Sequence, residues 1–544
     1  KPFHCVSEML SPGRRPAEYD IPPSSSFHQI RTFRLAVAAA GEFTEYHGGT
    51  VESALAAVVT VFNRVGGIYE RELGVQLVLV PGIEHLLFTN RCTDPFSYNG
   101  PSVQTVYEAQ LVFDSLIGSP NYDLGILLNT GAYGGAYLGS VCDPSRKGSA
   151  CIGLPEPEGE AFALYAAHEM AHQLGANHTF NSGQGTCSAN RYADTAVEPG
   201  TGSTLMSYAG LPCGDDELQP LMNDYFHAEN LREIRQHLLG IECGQITTTS
   251  NQLPVVSAPG HIYIPRQTPF QLRAEAHDPD GDSLAYCWEQ MDIGPVASLS
   301  DPDVGFGPLF RSFPPAGNPV RTFPRYESLL ENVFLPGERL PQVPRTMRFR
   351  VTVRDSNNHG ATAHADTLVE VVSAGPFRLT SHNDGYFKPG QQVVTWDVAG
   401  TTNAPLNLHA VNLLLSTNGG KGFQFLLASN APNDGVQTVM FPDVNSSRVR
   451  LKLEAVDQVF FDVTDCDILV SEGPQFNHCS VEGTSLLLKW KASPVAEYRI
   501  EATQDLSADS WTELSVTIEN NGLQMEAVVP ISDEWRFFRL KEMD

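Results

Sequence analysis

The chain has 544 residues, of which 35 are Lys or Arg and 63 are Asp or Glu, giving a net charge of −28. At about 150 residues per domain this length predicts three or four units, and the acidic balance argues against nucleic-acid binding, which needs a basic stripe to displace counterions. With 42% hydrophobic and only 18% charged residues, the chain is expected to be globular rather than an acidic disordered tail.

The first residues, Lys1-Pro2-Phe3-His4-Cys5, hold no Met and no apolar signal segment, as in a processed or trimmed chain. Residues 1–30, with Arg14-Arg15 and the loop-like Pro22-Pro23-Ser24-Ser25-Ser26, are predicted to be a linker or propeptide remnant. Arg31–Ala38 reads as a strand, Val51–Tyr69 as a helix, Val75–Val80 as a strand, Val103–Ile117 as a helix and Leu124–Leu128 as a strand. Alternating strands and helices indicate an α/β sheet, here over residues 31–247. No run approaches the ~18 apolar residues of a membrane-spanning helix.

Beyond Thr247, Pro, Gly and Asp turns separate short β-rich runs. Phe270–Ala274, Met347–Val353 and Leu368–Val372 define a β-sandwich over 252–374, and Val393–Val398, Asn412–Ser416 and Arg448–Leu453 a second over 375–472. Leu486–Trp490, Glu497–Glu501, Trp511–Ile518 and Phe537–Leu540 make a small C-terminal β module, 473–544. The ten Cys permit complete pairing, and Cys142/Cys151, Cys187/Cys213 and Cys466/Cys479 are each spaced to close a short loop. None forms C-x-x-C, so the expected setting is oxidising and extracytoplasmic, that of a secreted protein.

The chemistry concentrates in His168-Glu169-Met170-Ala171-His172-Gln173-Leu174-Gly175-Ala176-Asn177-His178. Helical residues at i and i+4 share a face, so His168 and His172 can present imidazoles to one metal. Glu169 can reach a water on that metal without ligating it. Gly175 can end the helix in a left-handed conformation, and the turned chain brings His178 round as a third nitrogen. Three protein ligands leave a zinc position open, as hydrolysis requires. Five fixed positions, three of them His, arise by accident roughly once in ten thousand chains of this kind.

The segment matches H-E-x-x-H-x-x-G-x-x-H in full and so resembles the metzincin zinc endopeptidases. The resemblance implies an α/β metzincin catalytic domain followed by Ig-like or PKD-like modules, with Zn2+ held by His168, His172 and His178 and a water activated by Glu169. It also implies a Met-turn, which Thr204-Leu205-Met206-Ser207-Tyr208 supplies, with Met206 as its apolar floor. Gly135-Ala136-Tyr137-Leu138-Gly139-Ser140-Val141-Cys142-Asp143-Pro144 is similar to the upper edge strand of reprolysin (adamalysin-like) peptidases. In them that strand pairs with extended substrate, which makes Gly135, Ala136, Tyr137 and Leu138 substrate-strand candidates.

Two positions depart from the reprolysin pattern. Thr179 follows the third His where Asp is usual, as in the pappalysin branch, and Tyr208 stands two residues after the Met, as in astacins and serralysins. Tyr208 is thus a candidate zinc ligand or oxyanion donor, with a buried structural Tyr as the plainer reading. By the same resemblance Cys5 can act as a zinc-blocking switch, against a simple disulfide.

Asp278-Pro279-Asp280-Gly281-Asp282 resembles acidic turns of Ig-like, PKD-type or cadherin-like modules, making Asp278, Asp280 and Asp282 candidate Ca2+ ligands or a solvated turn. Trp396, Trp490 and Trp511 are candidates for a glycan platform or cell-surface contact, although a lone strand Trp is more often core. The function expected is that of a secreted zinc endopeptidase acting on extracellular proteins. The rival is a non-catalytic adhesion or carbohydrate-binding protein with a vestigial metal site.

Overall fold

A computed structural model describes residues 27–543, except 98, 100–102, 357–360, 472, 492–495, 507–510, 521–523 and 533. Of the predicted linker 1–30, residues 1–26, with Arg14-Arg15 and Cys5, lie outside the described residues, whereas residues 27–30 are not linker but the start of the first strand, paired with Gln252, Thr248 and Thr247.

In chain order the N-terminal region contains β1 (Phe27–Ala39), α1 (Gly41–Tyr46), α2 (Val51–Leu73), β2 (Val75–Leu79), α3 (Val103–Leu116) and β3 (Leu124–Asn129). There follow β4 (Tyr133–Ala136), β5 (Ala150–Gly153), α4 (Gly159–Gln173), α5 (Ala228–Leu239) and β6 (Gln245–Gln252). One sheet runs β2-β1-β3-β5-β4. Its first four strands are parallel, β4 closes one edge antiparallel to β5, and β6 pairs antiparallel with the start of β1.

A parallel sheet is covered on both faces, and β1 shows how. Phe33, Leu35, Val37 and Ala39 pack with α2 and α4 in one core, while Ala36 and Ala38 pack with Val106, Ala109 and Phe113 of α3 in another. The period of two sends alternate residues to opposite layers.

Thr50 and Ser53 form a reciprocal capping box that starts α2, and Gly74 in the left-handed region ends it. Among the described residues α2 alone is long and apolar enough to cross a membrane. It is however amphipathic, with Ala54, Val58, Val61, Phe62 and Val65 buried in the core. By contrast α4 is buried from Phe162 to Gln173, so it runs through the centre of the region.

Between α4 and α5 the chain has only short 3-10 turns, Gly185–Ala189 and Gly214–Asp216, and the Cys187–Cys213 disulfide staples this irregular stretch. The expected Cys142/Cys151 bond does not form. Cys142 is bonded to Cys243, whereas Cys151 lies in β5 between β3 and β4 with its side chain in the α3-side core. Nor are Cys466 and Cys479 bonded to each other; both are exposed thiols, as is Cys92, and Cys287 is a buried one. Pairing is therefore incomplete, because closeness in sequence does not bring Cβ atoms together when the partners sit in different layers.

Beyond residue 252, the strands Leu284–Gln290, Arg345–Asp355, Thr362–Val372 and His261–Pro265 form one sheet in that order. Residues 378–470 form a three-stranded and a six-stranded sheet. A single core cluster runs through both stretches, from Ile264 and Phe349 to Trp396 and Val470. The last two sheets, spanning Phe476 to Met543, have their own small core around Leu488, Trp490, Ile500 and Val529. The predicted strand Trp511–Ile518 is broken: Thr512–Glu513 pairs with Glu497–Thr503, and Ile518–Asn520 joins the other sheet.

The three tryptophans make no common platform. Trp396 and Trp490 are core residues, Trp396 donating from Nε1 to Asn433, and the ring of Trp511 is covered by the Arg539 guanidinium at 4.2 Å.

Candidate metal centre

Helix α4 places His168 and His172 one turn apart. Gly175, at φ +96°, then reverses the chain, and a Cβ there would meet the His237 side chain at 2.9 Å, so both conformation and space require glycine. The last carbonyls of α4 are capped by the loop after β4: Gly139 N–H donates to His172 O (2.8 Å) and Val141 N–H to Gln173 O (3.0 Å). The reversal brings His178 back over the helix end. His178 Nε2 lies 3.2 Å from His168 Nε2 and 3.1 Å from His172 Nε2.

Every imidazole is oriented by a backbone carbonyl. His168 Nδ1 donates to Leu205 O (2.8 Å), His172 Nδ1 to Ala176 O (2.7 Å) and His178 Nδ1 to Asn190 O (2.7 Å). A carbonyl only accepts, so each Nδ1 carries the proton and each Nε2 presents a lone pair to the other two. Three converging lone pairs repel one another unless a cation lies between them. Burial, and then the neighbouring His178, lowers the pKa of His168 to about 3 and pushes His172 well down, so at neutral pH these imidazoles are neutral. Two zinc–nitrogen bonds of about 2.05 Å at tetrahedral angles set their nitrogens about 3.3 Å apart. The observed separations fit that span, and the Nδ1–carbonyl bonds are the outer contacts that orient metal-ligating imidazoles.

The residues flanking His178 are held on both sides by buried glutamates. Before it, Asn177 donates to Glu233 of α5 from its backbone N–H (3.0 Å) and its Nδ2 (2.6 Å). After it, Thr179 Oγ1 donates to Glu198 (2.7 Å). Glu198 also accepts from Ser203 N–H (2.8 Å), Thr204 N–H (3.2 Å) and the Thr204 hydroxyl, which ties the third histidine to the turn carrying Leu205 and Met206. Thr195 Oγ1 donates to the His178 carbonyl (2.6 Å).

The candidate residues fall as follows. His168, His172 and His178 come together and are buried. Glu169 is fully buried on α4 beside His168. Met206 is buried in the adjoining core, its carbonyl accepting from Thr179 N–H (3.2 Å). Tyr208 is buried with its ring 4.7 Å from that of His178 and 4.4 Å from that of Phe180. Gly135 and Ala136 lie in the edge strand β4; Tyr137 and Leu138 follow it. Cys5 is outside the described residues.

Asp278, Asp280 and Asp282 cluster in a separate turn. There the Asp280 carboxylate accepts from Gln252 N–H (2.6 Å) and Nε2 (2.9 Å), and Asp278 accepts from the backbone of Asp280 and Asp282.

Residue patterns did not single out Glu198, Glu233, Asn190 or Leu205. The last two act through carbonyls, which any residue supplies. The Thr at 179 is the one sequence signal for Glu198: a hydroxyl there needs a partner to reach the Met206 turn.

Residues 29–236 match the sequence pattern of the M12B reprolysin-like metallopeptidase family. A curated relative, "A disintegrin and metalloproteinase with thrombospondin motifs 1" of Bombyx mori, is 24% identical over 259 residues. The match covers 43% of this chain and 24% of the relative, so the chain spans about a quarter of that protein's length. Among solved structures, the four N-terminal Ig domains of Dscam1 isoform 4.44 align at 12% identity and TM-score 0.14, over 53% of this chain and 76% of that one. The human Desmocollin-1 ectodomain aligns at 9% and 0.13 (59% and 64%), and chicken CNTN1 FN1–FN3 at 11% and 0.14 (54% and 93%). Scores this low say nothing about the architecture of the chain. The family pattern, with the histidine arrangement it contains, implies zinc. Residues 29–236 thus carry the pattern of a reprolysin-like metzincin metallopeptidase.

Proposed function

We propose that this protein is a secreted zinc endopeptidase that cleaves extracellular proteins, with His168, His172 and His178 as ligands and Glu169 as general base. The convergence of three carbonyl-anchored imidazoles carries this reading. Zinc, when bound, acidifies a coordinated water and polarises the scissile carbonyl. Glu169 accepts the proton as the water adds to that carbonyl and returns it to the departing amine nitrogen. Its position beside His168 on α4, one residue from a ligand and not itself among the three converging nitrogens, supports this role.

Strand β4, last in the order of the sheet, is the strand along which an extended substrate would lie, across Gly135 and Ala136 with Tyr137 and Leu138 continuing it. Met206 forms the apolar floor and Tyr208, against His178, donates to the developing oxyanion. The disulfides Cys142–Cys243 and Cys187–Cys213 support an extracellular setting. In this reading 252–374 is an Ig-like or PKD-like β-sandwich, 375–472 a second β-sandwich and 473–544 a small C-terminal β module, and the Asp278–Asp282 turn is a candidate Ca2+ ligand set. The test is digestion of an unfolded protein by wild type and Glu169→Ala. The variant should keep its zinc and lose cleavage; a fully active variant overturns the assignment.

A further inference from the structure

The supports of the three histidines do not end within residues 29–236. The turn that orients His168 through Leu205 O is itself fixed by Leu205 N–H donating to Tyr225 O (2.9 Å), and the Tyr225 hydroxyl donates to Ser312 Oγ (2.8 Å). Ser203 Oγ, beside Glu198 in the same turn, lies 3.0 Å from the Ser312 carbonyl. Ser312 Oγ in turn donates to Glu289 Oε1 (2.6 Å).

The other oxygen of Glu289 accepts from Ala228 N–H (2.9 Å), the first residue of α5. A carboxylate there meets the positive end of the helix dipole and satisfies one of its free N–H groups. Helix α5 carries Glu233, which holds Asn177 next to His178. Two lines of hydrogen bonds, one to the turn under His168 and one to the reversal before His178, therefore meet at a single pair of side chains. Both are buried, Glu289 at 0% and Ser312 at 2% exposure, and both lie beyond residue 252, outside the stretch that matches the peptidase family.

We infer that Glu289 and Ser312, contributed by the β-rich stretch that follows the peptidase domain, are positioning residues of the metal centre. The inference rests on the reading of the three histidines as a zinc site. It makes the β-rich stretch part of the peptidase and not a detachable appendage. Removing a group bonded directly to a metal ligand lowers metal affinity by about 10- to 100-fold; Ser312 and Glu289 act through such groups, so their removal should lower it by up to about tenfold.

The test uses the full chain and the variants Ser312→Ala and Glu289→Gln, with Phe349→Leu as a control for loss of stability in the same β core. Zinc affinity is read by chelator competition and ligand geometry by the visible spectrum of the Co2+ form, alongside a melting curve. Both variants should weaken zinc binding measurably, by up to about tenfold, and shift the Co2+ bands while still folded, whereas Phe349→Leu should lower the melting temperature and leave affinity and bands unchanged. Folded Ser312→Ala and Glu289→Gln proteins with wild-type affinity and spectrum overturn the inference and leave the zinc site standing. A loss of affinity that merely follows melting temperature, in the control as in the variants, also overturns it. A wild type that takes up neither metal overturns the zinc site itself and this inference with it.

Discussion

Glu198 is the residue on which the lower half of the site hangs, and its removal has a cost that follows from its bonds. It is 1% exposed and accepts from two backbone amides, Ser203 N–H and Thr204 N–H, and from the hydroxyls of Thr179, Ser203 and Thr204. In Glu198→Ala the hydroxyls can rotate to other acceptors, and Ser203 already has the Ser312 carbonyl at 3.0 Å. The two amides cannot turn. Each buried amide left without an acceptor costs about 1–3 kcal/mol, so the loss is about 2–6 kcal/mol from the amides alone. That is a large share of a stability of roughly 5–15 kcal/mol. Glu198→Gln keeps one carbonyl oxygen and should fall between the two. The assay is urea denaturation of the full chain, paired with chelator competition for zinc, since the amides belong to the turn whose Leu205 carbonyl orients His168. A Glu198→Ala protein that loses less than about 1 kcal/mol and binds zinc as the wild type does would show that Glu198 does not hold the turn.

Other outcomes follow from the same structure. Glu72 and Arg354 form a buried ion pair across the junction of the peptidase domain and the β-rich stretch (2.7 Å), so Glu72→Met should cost about 3–5 kcal/mol in denaturant titration, while Glu72→Met/Arg354→Met should recover most of it. A single variant as stable as wild type contradicts this. Tyr208→Phe should retain zinc and lower kcat about 100-fold if the hydroxyl meets the oxyanion; an unchanged kcat leaves Tyr208 as packing against His178 and Phe180. Burial, and then the Glu229 carboxylate, raise the pKa of Glu233 to about 7, against about 4.5 when unfolded. Between those values the folded chain holds a proton the unfolded chain has lost, so this group's contribution is full below pH 4.5 and falls as pH rises through 7, by about 3 kcal/mol in all. The stability of wild type relative to Glu233→Gln should therefore decline from pH 5 to pH 8, and a pH-independent difference would count against the raised pKa.

What was legible in the sequence follows from locality. The i, i+4 spacing of His168 and His172 fixes their shared face, and Gly175 is a local demand of the reversal, so one eleven-residue stretch predicted the meeting of three imidazoles. Most strands and helices as far as β3 were equally readable, because β1 and α2 write their burial into periods of two and 3.6, whereas the short α1 and β5, and α5 and β6, were not read. The supports were not. Leu205 and Asn190 act through carbonyls, Glu198 joins Thr179 to a turn about twenty-five residues on, and Glu289 reaches the first residue of α5, Ala228, from a strand 61 residues away. Such pairings are set by packing between layers, which no local pattern records. The same reason separates Cys187–Cys213, which staples an irregular loop, from Cys142, whose partner lies 101 residues away. It also explains the buried Trp396 and Trp490: a strand Trp faces core or solvent according to register, and only the packed sheets fix which.

In the proposed reaction the three histidines hold the zinc with which Glu169 hydrolyses peptide bonds. The most direct measurement follows cleavage of an unfolded protein by the full chain as zinc is stripped with a chelator and then titrated back. Cleavage should disappear with the metal, return in full at one equivalent of zinc, and be absent throughout in Glu169→Ala. Cleavage that persists in the stripped protein, or that never appears in the fully loaded wild type, would contradict the proposed reaction.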